Sequence, residues 1–305
     1  MRYIANMKTN LRALSLLTIL GLMWSFSFII ARFVTTHGVS PVGYSFLHTL
    51  GAAVLMLIAL WIFKEKLPCS SKHLSFYFFC GLIGIALPNT NKYFAAQHLP
   101  AGLLGVVINS SPLWTYALSL SFKSEKFSWR RFAGVLCGVV GILSIILAKT
   151  HLGLNSASSL PWILASLLSP CCFALTAIYI VKQAKGLPPL ALICGMLIAA
   201  TLMLTPLTFG THSFYFPHQL NLVNGAILLE IVLASLGYII LFKLLHLAGP
   251  VYFSLIDGII VIITPLLGAL FFAEPLSYWM LISVLLILFA IALVTPWQKA
   301  HQSLN

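Results

Sequence analysis

Apolar residues run along this chain in ten blocks separated by short polar intervals. In the first half they cover Ala13 to Ala31, Val42 to Phe63, Leu74 to Asn91, Leu99 to Phe122 and Phe132 to Ala148. In the second they cover Leu160 to Val181, Pro188 to Phe209, Leu220 to Phe242, Gly249 to Phe272 and Leu276 to Val294. Each is close to the about 20 residues that a helix needs to cross the hydrocarbon core of a bilayer. Open strands would leave backbone groups unpaired in lipid, so the blocks predict an all-α polytopic membrane protein with ten transmembrane helices.

The blocks also repeat. His246 to Tyr278, HLAGPVYFSLIDGIIVIITPLLGALFFAEPLSY, returns in altered form at His98 to Trp129, HLPAGLLGVVINSSPLWTYALSLSFKSEKFSW. Both copies open on His-Leu and reach a polar residue at the same spacing, Asn109 in one and Asp257 in the other. Each then meets a proline, Pro112 or Pro265, and closes on Glu-x-x-Ser, at Glu125 with Ser128 and at Glu274 with Ser277. Phe94 and Phe242 precede the two histidines at equal distance. Agreement in order over about thirty residues points to a duplicated unit. The predicted boundaries are 1–149 for the first five-helix repeat, 150–158 for an outer linker, and 159–305 for the second repeat with a short tail.

Composition supports the membrane and removes other classes. Hydrophobic residues make up 60% of the 305 positions and charged ones 7%, too apolar for a soluble domain. The formal charge of +12 reflects how few acids there are: Glu65, Glu125, Glu230, Asp257 and Glu274. Nucleic-acid binders gather basic residues on a patch, whereas these are spread between apolar blocks, so no nucleic-acid partner is expected. The six cysteines, Cys69, Cys80, Cys137, Cys171, Cys172 and Cys194, have neither disulfide nor metal spacing, and no metal or cofactor is expected.

Lys and Arg concentrate in cytoplasmic loops. With the N-terminus inside, Arg2, Lys8, Arg12, Lys64, Lys66, Lys72, Lys123, Lys126, Arg130, Arg131, Lys182, Lys185, Lys243 and Lys299 fall on the inner side. Arg32, Lys92 and Lys149 fall outside, so the ratio is 14 to 3 and both termini are cytoplasmic. The basic start and first apolar block resemble a signal peptide, but the block is too long and no cleavage site follows, so an uncleaved first helix is expected. Five helices per half is an odd number, so the second copy enters the membrane inverted. The residues after Glu125 include Lys126, Arg130 and Arg131, while those after Glu274 include no Lys or Arg within the same motif.

Inverted repeats are a mark of secondary transporters, whose substrate site lies near the bilayer midplane between the halves. Trp24-Ser25, the fourth-helix run into Pro112, and the half-closing Glu125-Lys126-Phe127-Ser128-Trp129 and Glu274-Pro275-Leu276-Ser277 resemble the drug/metabolite transporter superfamily, EamA type. The resemblance covers nearly the whole chain. It implies two EamA-type repeats in a bacterial cytoplasmic (inner) membrane and transport of amino acids or other small metabolites, with both exporters and importers in the family. Where members often carry an Arg in the second helix, this chain has His48.

Candidate cargo contacts follow from polarity at depth, because ionisable groups inside a span face a cavity or a partner. Asp257 lies about eight residues, roughly 12 Å, into the predicted ninth helix. It either faces a cavity or is satisfied by neighbours and locks helix packing. Asn109 sits at matching depth from the other face, and Glu230 is similarly deep in the eighth helix, with Lys92 as its candidate partner. Pro88-Asn89-Thr90-Asn91-Lys92-Tyr93 forms a polar tip that fits either an outer mouth or a solvated helix end. The substrate-binding candidates are therefore Asp257, Asn109, Glu230, Asn89, Asn91, Lys92, Trp24, His48 and Tyr238, with Trp114, Tyr116, Tyr179 and Tyr252 as further aromatic walls. Glu125 and Glu274 are expected to mark the starts of the fifth and tenth helices, where negative charge suits the dipole. Gly134-x-x-x-Gly138 with Gly141 permits close helix approach, within the fold or in a homodimer.

The expected function is a secondary transporter of a small metabolite, an amino acid or related compound, working as an exporter by alternating access, with protons as a candidate coupling ion. A membrane enzyme, an importer and a channel stay open as alternatives. Metal-dependent and serine-hydrolase motifs are missing from the sequence, as is a phosphate-binding loop, and no catalytic residue is assigned.

Overall fold

The computed structural model describes residues 2–147, 156–183, 186–219, 221–253 and 255–295. Positions 150–155 of the expected linker and the 296–305 tail, with Lys149, Lys185 and Lys299, lie outside the described residues. Helices in chain order are α1 (Arg2–Thr36), α2 (Pro41–Phe63), α3 (Ser71–Gly81), α4 (Leu87–His98), α5 (Ala101–Ile108), α6 (Ser111–Ser121) and α7 (Trp129–Leu147). There follow α8 (Ser156–Ser166), α9 (Leu168–Gln183), α10 (Pro189–Gly210), α11 (Leu222–Phe253), α12 (Ile256–Phe272) and α13 (Tyr278–Val294). No strand occurs among the described residues. Six segments are long and apolar enough to cross a membrane, from Leu11–Thr36 to Leu222–Leu245, and Ile256–Phe272 and Tyr278–Val294 are shorter apolar helices. With α3 to α4 and α7, these give the ten predicted crossings.

Three crossings are interrupted where the sequence withholds a backbone donor. Pro88 has no N–H to return to the preceding turn, and that turn, Leu82–Ala86, widens into a π-helix in which Leu87 N–H reaches Leu82 O. Pro112 opens α6 after a break at Asn109 and Ser110, and Pro170 lies in the first turn of α9 after a break at Leu167. The ninth crossing departs from expectation. Gly249 and Pro250 do not begin it; α11 stays helical to Phe253, and α12 starts at Ile256, so Asp257 sits in the first turn of α12 rather than mid-helix. The side chains of His246 and Tyr252 lie outside the described residues.

Equivalent helices of the two halves touch in three pairs, α2 with α10, α5 with α12 and α7 with α13. All three run antiparallel. Along α5, Gly102 faces Gly268 and Pro265, and Gly105 then faces Thr264. Along α7, Arg130 donates to Ala292 O at 3.0 Å, Cys137 lies at Leu286 O, and Gly141 meets Ser283 and Ile287. Along α2, Gly43 abuts Ser213, Phe46 meets Phe209, and the C-terminal Phe63 shares a groove with Pro189. Antiparallel contact between equivalent helices is what inverted copies produce. The remaining contacts obey the same symmetry: α1 packs on α11 and α12, while α8 and α9 pack on α4, α5 and α6.

Small residues set the closest approaches. A Cβ at Gly105 would fall 2.7 Å from Thr264 Cβ, and one at Gly81 would fall 2.6 Å from the Met196 carbonyl oxygen. Gly134, Gly138 and Gly141 of α7 face Val294, Leu113 and Ile287 within the same chain. The outside carries Leu57, Trp61, Leu228, Leu285 and Phe289, an apolar surface that suits lipid contact.

Candidate functional site

Between the halves lies a cavity of about 350 Å³, walled by α1, α2, α4 and the π-helical turn, α5, α6 and α9 to α12. Trp24, His48, Asn89, Lys92, Asn109, Glu230, Tyr238 and Asp257 all line it. The structure thus brings eight of the nine sequence candidates to one space. Asn91 turns away: its Nδ2 donates to Ala165 O and Ser169 Oγ, both at 2.9 Å, and so ties α4 to the interrupted sixth crossing. Helical spacing explains the split, since Asn89 and Lys92 are three residues apart on one face whereas Asn91 is two from Asn89.

Of the further aromatics, Tyr116 is buried against the Ser128 backbone, which donates to its hydroxyl at 2.8 Å, and Tyr179 stacks on Phe76. Neither these nor Trp114 line the cavity. Sequence reading missed Ser27, Phe28, Ser111, Thr115 and Phe173, which do.

One internal pair occupies the side of the cavity nearest Arg32 and Glu274. Ser27 Oγ donates to Glu230 Oε1 at 2.5 Å and accepts from Lys92 Nζ at 3.1 Å, so the hydroxyl bridges acid and base. The Lys92 ammonium also sits 5.5 Å from the Phe28 ring centre and 4.8 Å from that of Tyr93, within cation–π range. Glu230 is 1% exposed, yet its Oε2 has no hydrogen-bond partner among the described residues. Beside it, Tyr93 OH lies 3.2 Å from His48 Nδ1, and His48 Nε2 is likewise unpartnered. Buried polar atoms left this way face a cost unless water or solute meets them.

The two symmetry-equivalent polar residues differ. Asn109 Nδ2 donates to Gly105 O at 2.7 Å, one turn back on its own helix. Asp257 makes no hydrogen bond or ion pair with any described residue, although it fronts the same cavity.

The two repeat-closing glutamates also differ, and here the expectation is corrected. Glu274 does not serve the N-terminus of α13; that end is capped by Ser277 Oγ, which accepts from Met280 N at 3.2 Å. Glu274 instead reaches across to the first half. Its Oε1 accepts from Ala101 N at 2.7 Å and its Oε2 from Gly102 N at 2.9 Å, capping α5, while Arg32 Nε stands 3.4 Å away. Arg32 also donates to Leu99 O and lies over the Phe272 ring at 5.4 Å. Gly268 leaves the room, because a Cβ there would press on the carboxylate. At the opposite end, Glu125 pairs with Arg131 of α7, the helix it precedes, and Lys182 lies 5.6 Å over the Phe122 ring, matching Arg32 over Phe272. The Glu125 side chain is 40% exposed and that of Glu274 9%. One end of the bundle is therefore bolted across the halves by a carboxylate, and the other pairs its carboxylate within one half.

The EamA-like transporter family model matches this chain twice, at residues 11–147 and 160–295. The chain belongs to the EamA-like transporter family. The two EamA matches fall on the two halves that the antiparallel helix pairs relate. Among relatives, an uncharacterized transporter of Bacillus subtilis (strain 168), YvbV, is 23% identical over 295 residues, covering 96% of this chain and 94% of its own. A WAT1-related protein of Arabidopsis thaliana is 25% identical, covering 93% and 84%, and protein PecM of Dickeya dadantii (strain 3937) is 26% identical, covering 71% and 72%. A protein of known crystal structure superposes with a TM-score of 0.64 at 16% identity, over 92% of this chain and 96% of that one, which shows a shared fold.

Proposed function

We propose that this EamA-like protein is a secondary carrier that moves a small metabolite, an amino acid or related compound, by alternating access. The observation that supports this most is the cavity of about 350 Å³ between two inverted halves, fronted by carboxylates, an ammonium, amides and an indole. A space of that size takes a small metabolite, and groups of both signs suit a polar one. The polar face of the cavity belongs to both halves: Asn109 and Lys92 come from the first, and Glu230 and Asp257 from the second. Rocking of the halves about this shared site would open it to one side at a time.

The two ends of the bundle support export. The Arg32–Glu274 end is closed, whereas toward the lysine-rich end Thr115 is partly exposed and Ala177 exposed. The 14 to 3 distribution of Lys and Arg favours a cytoplasmic position for that end and both termini, and with solute admitted there we read the carrier as an exporter in a cytoplasmic membrane. Asp257, without a partner among the described residues, and the free Oε2 of Glu230 make protons the coupling ion of first choice.

Protein reconstituted in liposomes provides the test. Counterflow of a labelled solute, or accumulation against its gradient, is expected. Passive equilibration alone would identify a channel, and covalent change to the solute an enzyme; either result refutes the carrier reading.

A further inference from the structure

The charges that front the cavity do not balance. Lys92 and Glu230 neutralise one another through Ser27, with Nζ to Oγ at 3.1 Å and Oγ to Oε1 at 2.5 Å. Asp257 is left over. Arg32, the other cation in that region, is held at the end of the bundle by Glu274 and Leu99 O, and Asn109 spends its amide on Gly105 O. His48 has Tyr93 as its partner and faces no carboxylate among the described residues. A lone carboxylate in a membrane interior calls for a counter-charge, and no described side chain supplies it.

We propose that the solute supplies it: the carrier selects small solutes of net charge +1, whose cationic group docks on Asp257, over zwitterions and anions of similar size. This rests on the carrier reading above and narrows its substrate class to basic amino acids and related amines. Aromatic walls at Trp24, Phe28 and Phe173 give such a cation apolar contact and ring faces. Glu230 Oε2, buried and unpartnered, is a second acceptor in the same space, and Lys92 offers a pole for a carboxylate. A basic amino acid presents two ammonium groups and one carboxylate, which is the complement of this set. The neutral Lys92–Ser27–Glu230 group leaves the total unchanged, so Asp257 alone sets the preferred charge.

The experiment is counterflow in liposomes with labelled lysine and ornithine (net +1), leucine and glutamine (net 0) and glutamate (net −1) at neutral pH. Wild-type protein is expected to exchange the cationic pair at least about tenfold faster than the neutral pair. Asp257→Asn is expected to lower the ratio of cationic to neutral exchange by about tenfold or more. Asp257→Glu, which restores the charge, is expected to recover the cationic preference. Thermal unfolding in detergent separates a selectivity change from misfolding. Should Asp257→Asn not fold, wild-type selectivity decides by itself. Wild-type preference for neutral or anionic solutes, or an Asp257→Asn variant with unaltered selectivity, overturns the charge assignment while leaving the carrier intact. Absence of counterflow with every solute class, together with covalent conversion of any of them, would instead overturn the carrier reading.

Discussion

Replacing Glu274 by Gln tests the contact that bolts one end of the molecule. The change keeps the side chain's shape but turns one carboxylate oxygen into an amide donor. That donor faces a backbone N–H of Ala101 or Gly102, now 2.7 or 2.9 Å from a carboxylate oxygen, so one hydrogen bond becomes a clash of donors. The Arg32 guanidinium, 3.4 Å away, loses its counter-charge at the same time. A hydrogen bond to a charged group contributes about 1.5–3 kcal/mol net, and leaving a buried donor unmet costs about as much. With Glu274 9% and Arg32 25% exposed, screening is modest, and about 3 kcal/mol is a reasonable total. Because the contact joins the two halves, that loss falls on the state closed at this end, shifting its equilibrium by about 10²-fold. A single cysteine at Ala96, fully buried in the described state, reports the opening when the six native cysteines have been replaced. A membrane-impermeant maleimide should then label Ala96→Cys about 10- to 100-fold faster in the Glu274→Gln protein. Added to intact cells, the reagent also reports which side of the membrane that end faces. An unchanged labelling rate would mean that Glu274 does not hold the end shut, and the argument from its geometry would fail.

The matching change at the other end, Glu125→Gln, should alter thermal stability by less than about 1 kcal/mol, because its ion pair with Arg131 is exposed; a melting curve in detergent checks it. Gly105→Ala drives a methyl group to 2.7 Å from Thr264 Cβ, so about 1–3 kcal/mol should be lost in the same assay. Wild-type stability in that variant would mean that α5 and α12 are not held at this distance. Ser27→Ala removes the hydroxyl between Lys92 and Glu230, and counterflow should drop about tenfold or more with the fold retained, whereas Ser25→Ala, whose hydroxyl bonds Gly21 O on its own helix, should leave counterflow near wild type.

Ten crossings and their inversion were legible because a bilayer forces long apolar runs and because the motif at Glu125 meets a cluster of cations that its copy at Glu274 does not. Asp257, Asn109 and Glu230 stood out for a related reason: a charged or amide group within an apolar block needs an explanation that a leucine does not. Ser27 did not stand out. Serine is common in membrane helices and satisfies itself on the preceding turn, as Ser25 does, and the partner that distinguishes it, Glu230, is 203 positions away. Glu274 was legible as a structural acid but not as the cap of α5, since its ligands Ala101 and Gly102 are 173 and 172 positions away in the other repeat. Local grammar misled at Gly249 and Pro250, which read as the start of a helix, whereas the helix break falls nearer Asp257. Asn91 misled because its neighbours Asn89 and Lys92 share a helix face that it does not.

Among the described residues neither α7 nor α13 lends a side chain to the cavity, yet the two are clasped from Arg130 at Ala292 to Gly141 at Ser283. Two bodies stitched together along one edge cannot slide apart; they can only swing about the seam. The thirty-odd residues of that seam would then act as an axle, with displacement smallest at the nearby crossing of α5 over α12, where Gly102 lies against Met280 of α13, and largest at helices such as α3 and α10 that pack away from it.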